Sequence, residues 1–153
     1  MYRKVLVPLD GSELAECALS HVKNLVKGGF AEEVTILNVF YPYFPLPEEG
    51  NFSTYGDFNA TRERIRNDSI KYLADVEARL SSEGIKVKTE ILMGRRPAET
   101  ISDYAQNNGI DLIIICTHGY TGLKKLMFGS VALEVLHNSQ APVLLVRPES
   151  CLS

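Results

Sequence analysis

What most constrains this chain is the alternation of short apolar runs with longer segments of helical period. The runs fall at residues 4–9, 34–40, 85–92, 111–116 and 142–147, and each has the length of a strand. Between them, Leu14, Ala18, Val22 and Leu25 recur at helical spacing and stop at Gly28 and Gly29. Ile65, Ile70, Leu73, Val76 and Leu80 do the same within 61–82, Ile101, Tyr104 and Ala105 follow Pro97, and a shorter segment covers 130–138. Asp10 and Glu13 have capping-box spacing, which sets the expected start of the first helix close to Asp10. The order β-α-β-α-β-α-β-α-β with right-handed crossovers makes a doubly wound, five-stranded parallel sheet with helices on both faces. The unbroken apolar run Leu112-Ile113-Ile114-Ile115-Cys116 suits a parallel strand covered on both sides.

One segment breaks the rhythm. Residues 41–60 hold three of the seven prolines together with Tyr41, Tyr43, Phe44, Phe52, Tyr55 and Phe58. That is far longer than an ordinary connection between strand and helix. So many rings suit an ordered flap packed on the domain, a ligand or a partner rather than a polar linker.

Length and charge narrow the function classes. At 153 residues the chain suits one core, so a single domain over 1–148 with a tail at 149–153 is expected. Lys and Arg number 16 against 19 Asp and Glu, a formal net charge of −3. A protein held to nucleic acid by charge carries a basic excess, so that class is disfavoured. No apolar stretch approaches the roughly 18–20 residues of a membrane span, and the run Val5-Leu6-Val7 is too short for a secretory leader. Cys17, Cys116 and Cys151 are widely spaced with no C-x-x-C pair, which fits neither a disulfide framework nor a zinc site. The expected location is the cytoplasm, with no membrane and no nucleic-acid partner.

In a doubly wound sheet the ligand crevice lies beyond the carboxyl ends of the strands, where the winding reverses. Two loops belong there: Pro8-Leu9-Asp10-Gly11-Ser12, and the stretch from Cys116 to Ser130. Neither carries a P-loop or a G-x-G-x-x-G fingerprint. The second nevertheless has the parts of an anion cradle. Gly119, Gly122 and Gly129 let backbone amides approach a ligand, Lys124 and Lys125 add charge, and the stretch contains no acid. Gly129 and Ser130 open the next helix, whose free amides and dipole favour phosphate.

These residues resemble the universal stress protein family, whose ATP-binding members carry G-x2-G-x9-G-[ST]. Gly119, nine residues, then Gly129 and Ser130 reproduce its last three elements, and the leading glycine falls on Cys116. The likeness extends over Val5-Leu6-Val7-Pro8-Leu9-Asp10-Gly11-Ser12, Thr117-His118-Gly119, Gly129-Ser130-Val131 and Ala141-Pro142-Val143-Leu144-Leu145-Val146. The resemblance implies an adenine nucleotide alpha hydrolase-like fold with strand order 3-2-1-4-5. It also implies Pro8, Leu9 and Asp10 beside an adenosine, with Asp10 near the ribose or a Mg2+ brought by ATP. Val39 would touch the adenine, Ile115, Cys116 and Gly119 the ribose and α-phosphate, and Gly129, Ser130 and Val131 the phosphates. ATP is the expected ligand, with ADP and AMP as alternatives. A Cβ and a sulfur at position 116 take space the motif leaves open, so Cys116→Gly is expected to tighten ATP binding.

The resemblance further implies a regulatory, stress-responsive module with little or no turnover, a homodimer formed through the strand at 142–147, and a regulatory protein partner. Two other readings stand beside it: a scaffold of the same fold that binds no nucleotide, and a slow ATPase. Individual residues also have plainer roles. Asp10 and Ser130 suit helix caps, Gly94 a turn, Arg95 and Arg96 a solvated helix start, and Cys17 and Cys116 core filling. His21, His118 and His137 lack a second metal ligand at recognisable spacing. Ser130, His118 and Asp10 come without a nucleophile elbow, which disfavours a hydrolase triad.

Overall fold

The computed structural model describes residues 1–42, 55–117 and 128–148. Its strands are β1 (Tyr2–Pro8), β2 (Ala31–Phe40), β3 (Lys88–Met93), β4 (Leu112–Cys116) and β5 (Val143–Val146). They form one sheet in the order β3-β2-β1-β4-β5, with every pair parallel. The doubly wound sheet and its strand order are therefore as expected. The central β1 and β4 carry the most complete burial: Leu6, Val7, Ile113, Ile114 and Ile115 are wholly enclosed. That explains the unbroken apolar run in β4.

The helices are α1 (Ala18–Lys27), α2 (Tyr55–Ser82), α3 (Pro97–Asn107) and α4 (Phe128–Asn138), with a 3-10 turn at Ala15–Cys17 before α1. Among the described residues, none is long and apolar enough to cross a membrane. Right-handed crossovers put α1 and α2 on one face of the sheet and α3 and α4 on the other. The outer strand β3 is guarded by charge, its Lys88 paired with Glu90 at 2.9 Å. The opposite edge, β5, bears no charge along its length, and its Leu144 is 38% exposed.

β1 and β2 begin two and three residues before their apolar runs, at Tyr2 and Ala31, and three other boundaries also differ from the sequence reading. The first helix does not begin at Asp10: Gly11 takes φ +89°, a left-handed turn that ends any helical start there, and regular helix waits until Ala18. The second begins at Tyr55 rather than near 61, removing 55–60 from the aromatic segment. Its 28 residues extend about 42 Å, longer than the sheet it lies on, and among 58–82 only Leu73, Val76 and Leu80 are buried. Residues 58–64 bury no side chain, so they carry no apolar period from which a helix is legible. β3 begins at Lys88 rather than 85; Ile85, buried to 1% exposure, anchors the chain just before it. Residues 43–54, the loop positions His118, Gly119, Gly122, Lys124 and Lys125, and the tail 149–153 lie outside the described residues.

Gly94 also has a different reason from the one its turn position implies. Its φ is unexceptional, but a Cβ there would collide with the side chain of Thr100. The glycine therefore permits close approach of the β3 end to α3.

Candidate functional site

The ends of β1 and β4 finish within one residue of each other, and β2 runs three residues further. Pro8 pairs with Leu37, and Leu6 pairs with Ile113. Continuing that register sets Leu9 opposite Asn38 on one side and Cys116 on the other. Pro8, Leu9, Asp10, Val39, Ile115 and Cys116 thus come together along the carboxyl edge of the sheet. The winding reverses between β1 and β4, the position at which open α/β sheets form their ligand crevice. Gly129, Ser130 and Val131 lie in the first turn of α4, which begins at this same edge because it connects the end of β4 to the start of β5. The first four amides of a helix have no intrahelical acceptor, so this turn presents donors and a positive dipole end. Gly119 falls outside the described residues.

Asp10 is exposed, and one carboxylate oxygen, Oδ1, accepts from the backbone N–H of Ser12 at 2.9 Å and from its hydroxyl at 2.5 Å. Ser12 Oγ in turn accepts from the N–H of Ala15 at 3.2 Å. Asp10 therefore caps no helix but closes an Asx turn, and Ser12 ties that turn to the start of the 3-10 turn. Its Oδ2 has no hydrogen-bond partner among the described residues. That oxygen fits a ribose hydroxyl or a nucleotide-borne Mg2+. Among the described residues no group of three or more His, Cys, Asp and Glu side chains stands at metal-binding separation.

Cys116 is 2% exposed, and its thiol donates to the carbonyl of Ala15 at 3.4 Å. The sulfur fills core volume beneath the 3-10 turn. Cys17 is buried too, its thiol directed at the carbonyl of Pro148 at 3.6 Å. Val39 is half-buried, as is Val131, while Ile115 is enclosed.

A charged network that sequence reasoning missed ties this loop to α2. Glu16, in the 3-10 turn, receives both terminal nitrogens of Arg79, at 2.9 and 3.0 Å, and the hydroxyl of Tyr72 at 2.9 Å. Arg79 Nε reaches Asp75 at 3.0 Å. The Arg79 hydrogen bonds hold the Glu16 carboxyl below its ordinary range, against the opposing effect of burial and with further help from Tyr72. Burial, then the bond to Glu16, makes the Tyr72 phenol harder to ionise, and the negative charge of Asp10 adds to this. Partners 56 and 63 residues apart leave no local pattern to read.

A second missed residue is Asn38. It is 6% exposed within an otherwise apolar stretch of β2, and its amide donates to the carbonyl of Leu9 at 2.9 Å.

The sequence profile of the universal stress protein family matches residues 1–147. Universal stress protein MJ0577 of Methanocaldococcus jannaschii is 35% identical, with 96% of each chain covered, and its solved structure superposes with a TM-score of 0.74. A universal stress protein solved in complex with cAMP is 20% identical, with a TM-score of 0.58, over 96% of this chain and 98% of that one. A family member from Arabidopsis thaliana with AMP bound is 16% identical, with a TM-score of 0.65, over 95% and 91% of the two chains.

Proposed function

The chain belongs to the universal stress protein family, and from that premise we propose that it binds an adenine nucleotide, ATP first, at the carboxyl edge of β1 and β4. The observation that carries this reading is that the ends of β1 and β4, flanked by the longer β2, adjoin the first turn of α4 at the point where the winding reverses. The cAMP and AMP complexes of fold neighbours support it. Asp10 offers Oδ2 to the ribose or to Mg2+, and Val39 flanks the adenine. Pro8, Leu9, Ile115, Cys116 and Gly119 line the sugar side. Gly129, Ser130 and Val131 supply amides and a hydroxyl to the phosphates.

The proposed role is that of a binding and regulatory module of the cytoplasm, with slow hydrolysis at most, acting on a protein partner according to nucleotide state. We further propose a homodimer through the strand at 142–147. Its support is the contrast between the two sheet edges: the charge pair on β3 discourages strand addition, whereas β5 is uncharged, with Leu144, Leu133 and Leu136 exposed nearby on β5 and α4.

Calorimetric titration of Mg-ATP into nucleotide-stripped protein tests the binding. The expected result is micromolar affinity, about −8 kcal/mol, weakened by Ser130→Ala more for ATP than for adenosine. No heat at any of several temperatures would overturn it and leave the scaffold reading, with the exposed apolar face of β5 and α4 as its working surface.

A further inference from the structure

Asn38 occupies a place where an aliphatic side chain would be the ordinary choice. Val34, Ile36 and Leu37 of the same strand are buried without a polar atom. Asn38 is buried with them, at 6% exposure, and among the described residues its Oδ1 has no hydrogen-bond partner. An enclosed acceptor without a donor lowers stability, so the residue must supply something that a leucine does not.

What it supplies is a substitution in the sheet ladder. The N–H of Leu9 donates to the carbonyl of Leu37 at 2.9 Å. In a parallel ladder a residue that donates backward to one carbonyl accepts forward from the N–H two residues on. The next bond due is therefore from the N–H of Val39 to the carbonyl of Leu9. Among the described residues that main-chain bond is absent. The Leu9 carbonyl takes the Asn38 side-chain amide instead, at 2.9 Å. Leu37 and Val39 point their backbone groups to the same side of β2, so the N–H of Val39 faces the end of β1 without its ladder acceptor.

We propose that Asn38 is a positioning residue that holds the β1–β2 ladder open at its last rung, so that the N–H of Val39 is kept as a donor for the heterocycle of a bound nucleotide. This rests on the nucleotide reading above. The same Asn38 bond fixes Leu9 as the last rigid residue before the Asp10 turn. An adenine ring offers acceptor nitrogens but no anionic group, so a single neutral backbone donor at the β2 end matches its chemistry, while charge on the ligand falls to α4.

Amide hydrogen exchange in full-length Asn38→Leu and Asn38→Thr tests this without relying on nucleotide. Leucine lacks the donor, and the threonine hydroxyl is one atom too short to reach Leu9. With either variant the carbonyl of Leu9 is expected to take back the N–H of Val39. Exchange at Val39 then slows about tenfold or more, the melting temperature is unchanged or higher, and ATP binds about five- to tenfold more weakly. In the parent protein Val39 should exchange fast when free and slowly with ATP bound. Equal exchange at Val39 in parent and variants overturns the role of Asn38, whatever ATP does. A parent that binds no adenine nucleotide, with Val39 still slowed in the variants, overturns the nucleotide reading and the donor's purpose but upholds the open rung. If one variant fails to fold, the other decides.

Discussion

Replacing Glu16 by Gln measures how far a charged clamp secures the loop that leads into the crevice. Glutamine keeps the shape but has one acceptor oxygen in place of two, so the oxygen shared by Tyr72 and one Arg79 nitrogen can keep both bonds without charge, while the second Arg79 bond is lost; the three bonds are of 2.9–3.0 Å. Each hydrogen bond to a charged group exceeds its neutral counterpart by about 1 kcal/mol. The Arg79 side chain is half exposed, where solvent screening discounts the ion pair to about 0.2–1 kcal/mol. The expected loss at pH 7 is about 1 kcal/mol, or about 0.5 M in urea midpoint for a slope of about 2 kcal/mol/M. Because the folded carboxyl is held below its ordinary range by Arg79, its contribution is complete above the unfolded value of about 4.3. It disappears as pH falls through the lower folded value, where the acid becomes as neutral as the amide. Urea titrations of both proteins at pH 7 and at pH 3 should therefore show a gap that closes on acidification. A gap of the same size at both values would refute the argument, since it would mean that shape rather than charge is at stake.

Two further outcomes follow from the geometry. The Cys116 sulfur packs beneath the 3-10 turn, donating to Ala15. In place of the tightening that the motif implies, Cys116→Gly is accordingly expected to leave ATP affinity within about twofold while costing about 2 kcal/mol in lost burial and strand propensity; a tenfold tighter complex by calorimetry would show that the sulfur occupies ligand volume after all. Leu144→Asp puts a charge on the β5 edge and should convert a dimer to a monomer by light scattering, and an unaltered mass would move the interface elsewhere.

Much of the fold was legible because its determinants are local. A run such as Leu112 to Cys116, short and rich in isoleucine, suits a strand buried on both faces, and the helical recurrence of Leu14, Ala18, Val22 and Leu25 locates α1 apart from its first turn. Asp10 and Glu13 have capping spacing, but the left-handed Gly11 between them diverts Asp10 to an Asx turn with Ser12. The start of α2 was hidden for the opposite reason, since residues 58–64 bury no side chain that would impose a period. The carboxyl edge followed from the doubly wound alternation of strands and helices, and the residues of β1, β2, β4 and α4 that the family resemblance implied converge there.

What the sequence could not display is how that edge is held. Glu16 meets Arg79 across 63 residues, and neither residue is unusual among the charged positions of its own helix or turn. Asn38 did leave a trace, a lone amide in the run Val34 to Phe40, and its meaning depends on register. One residue earlier or later, the side chain would not stand opposite Leu9, and the ladder would close normally. Polar residues inside buried strands are therefore most informative at strand ends. There a side-chain donor can displace the final main-chain bond, and the amide it displaces is left facing the crevice, as Val39 is here.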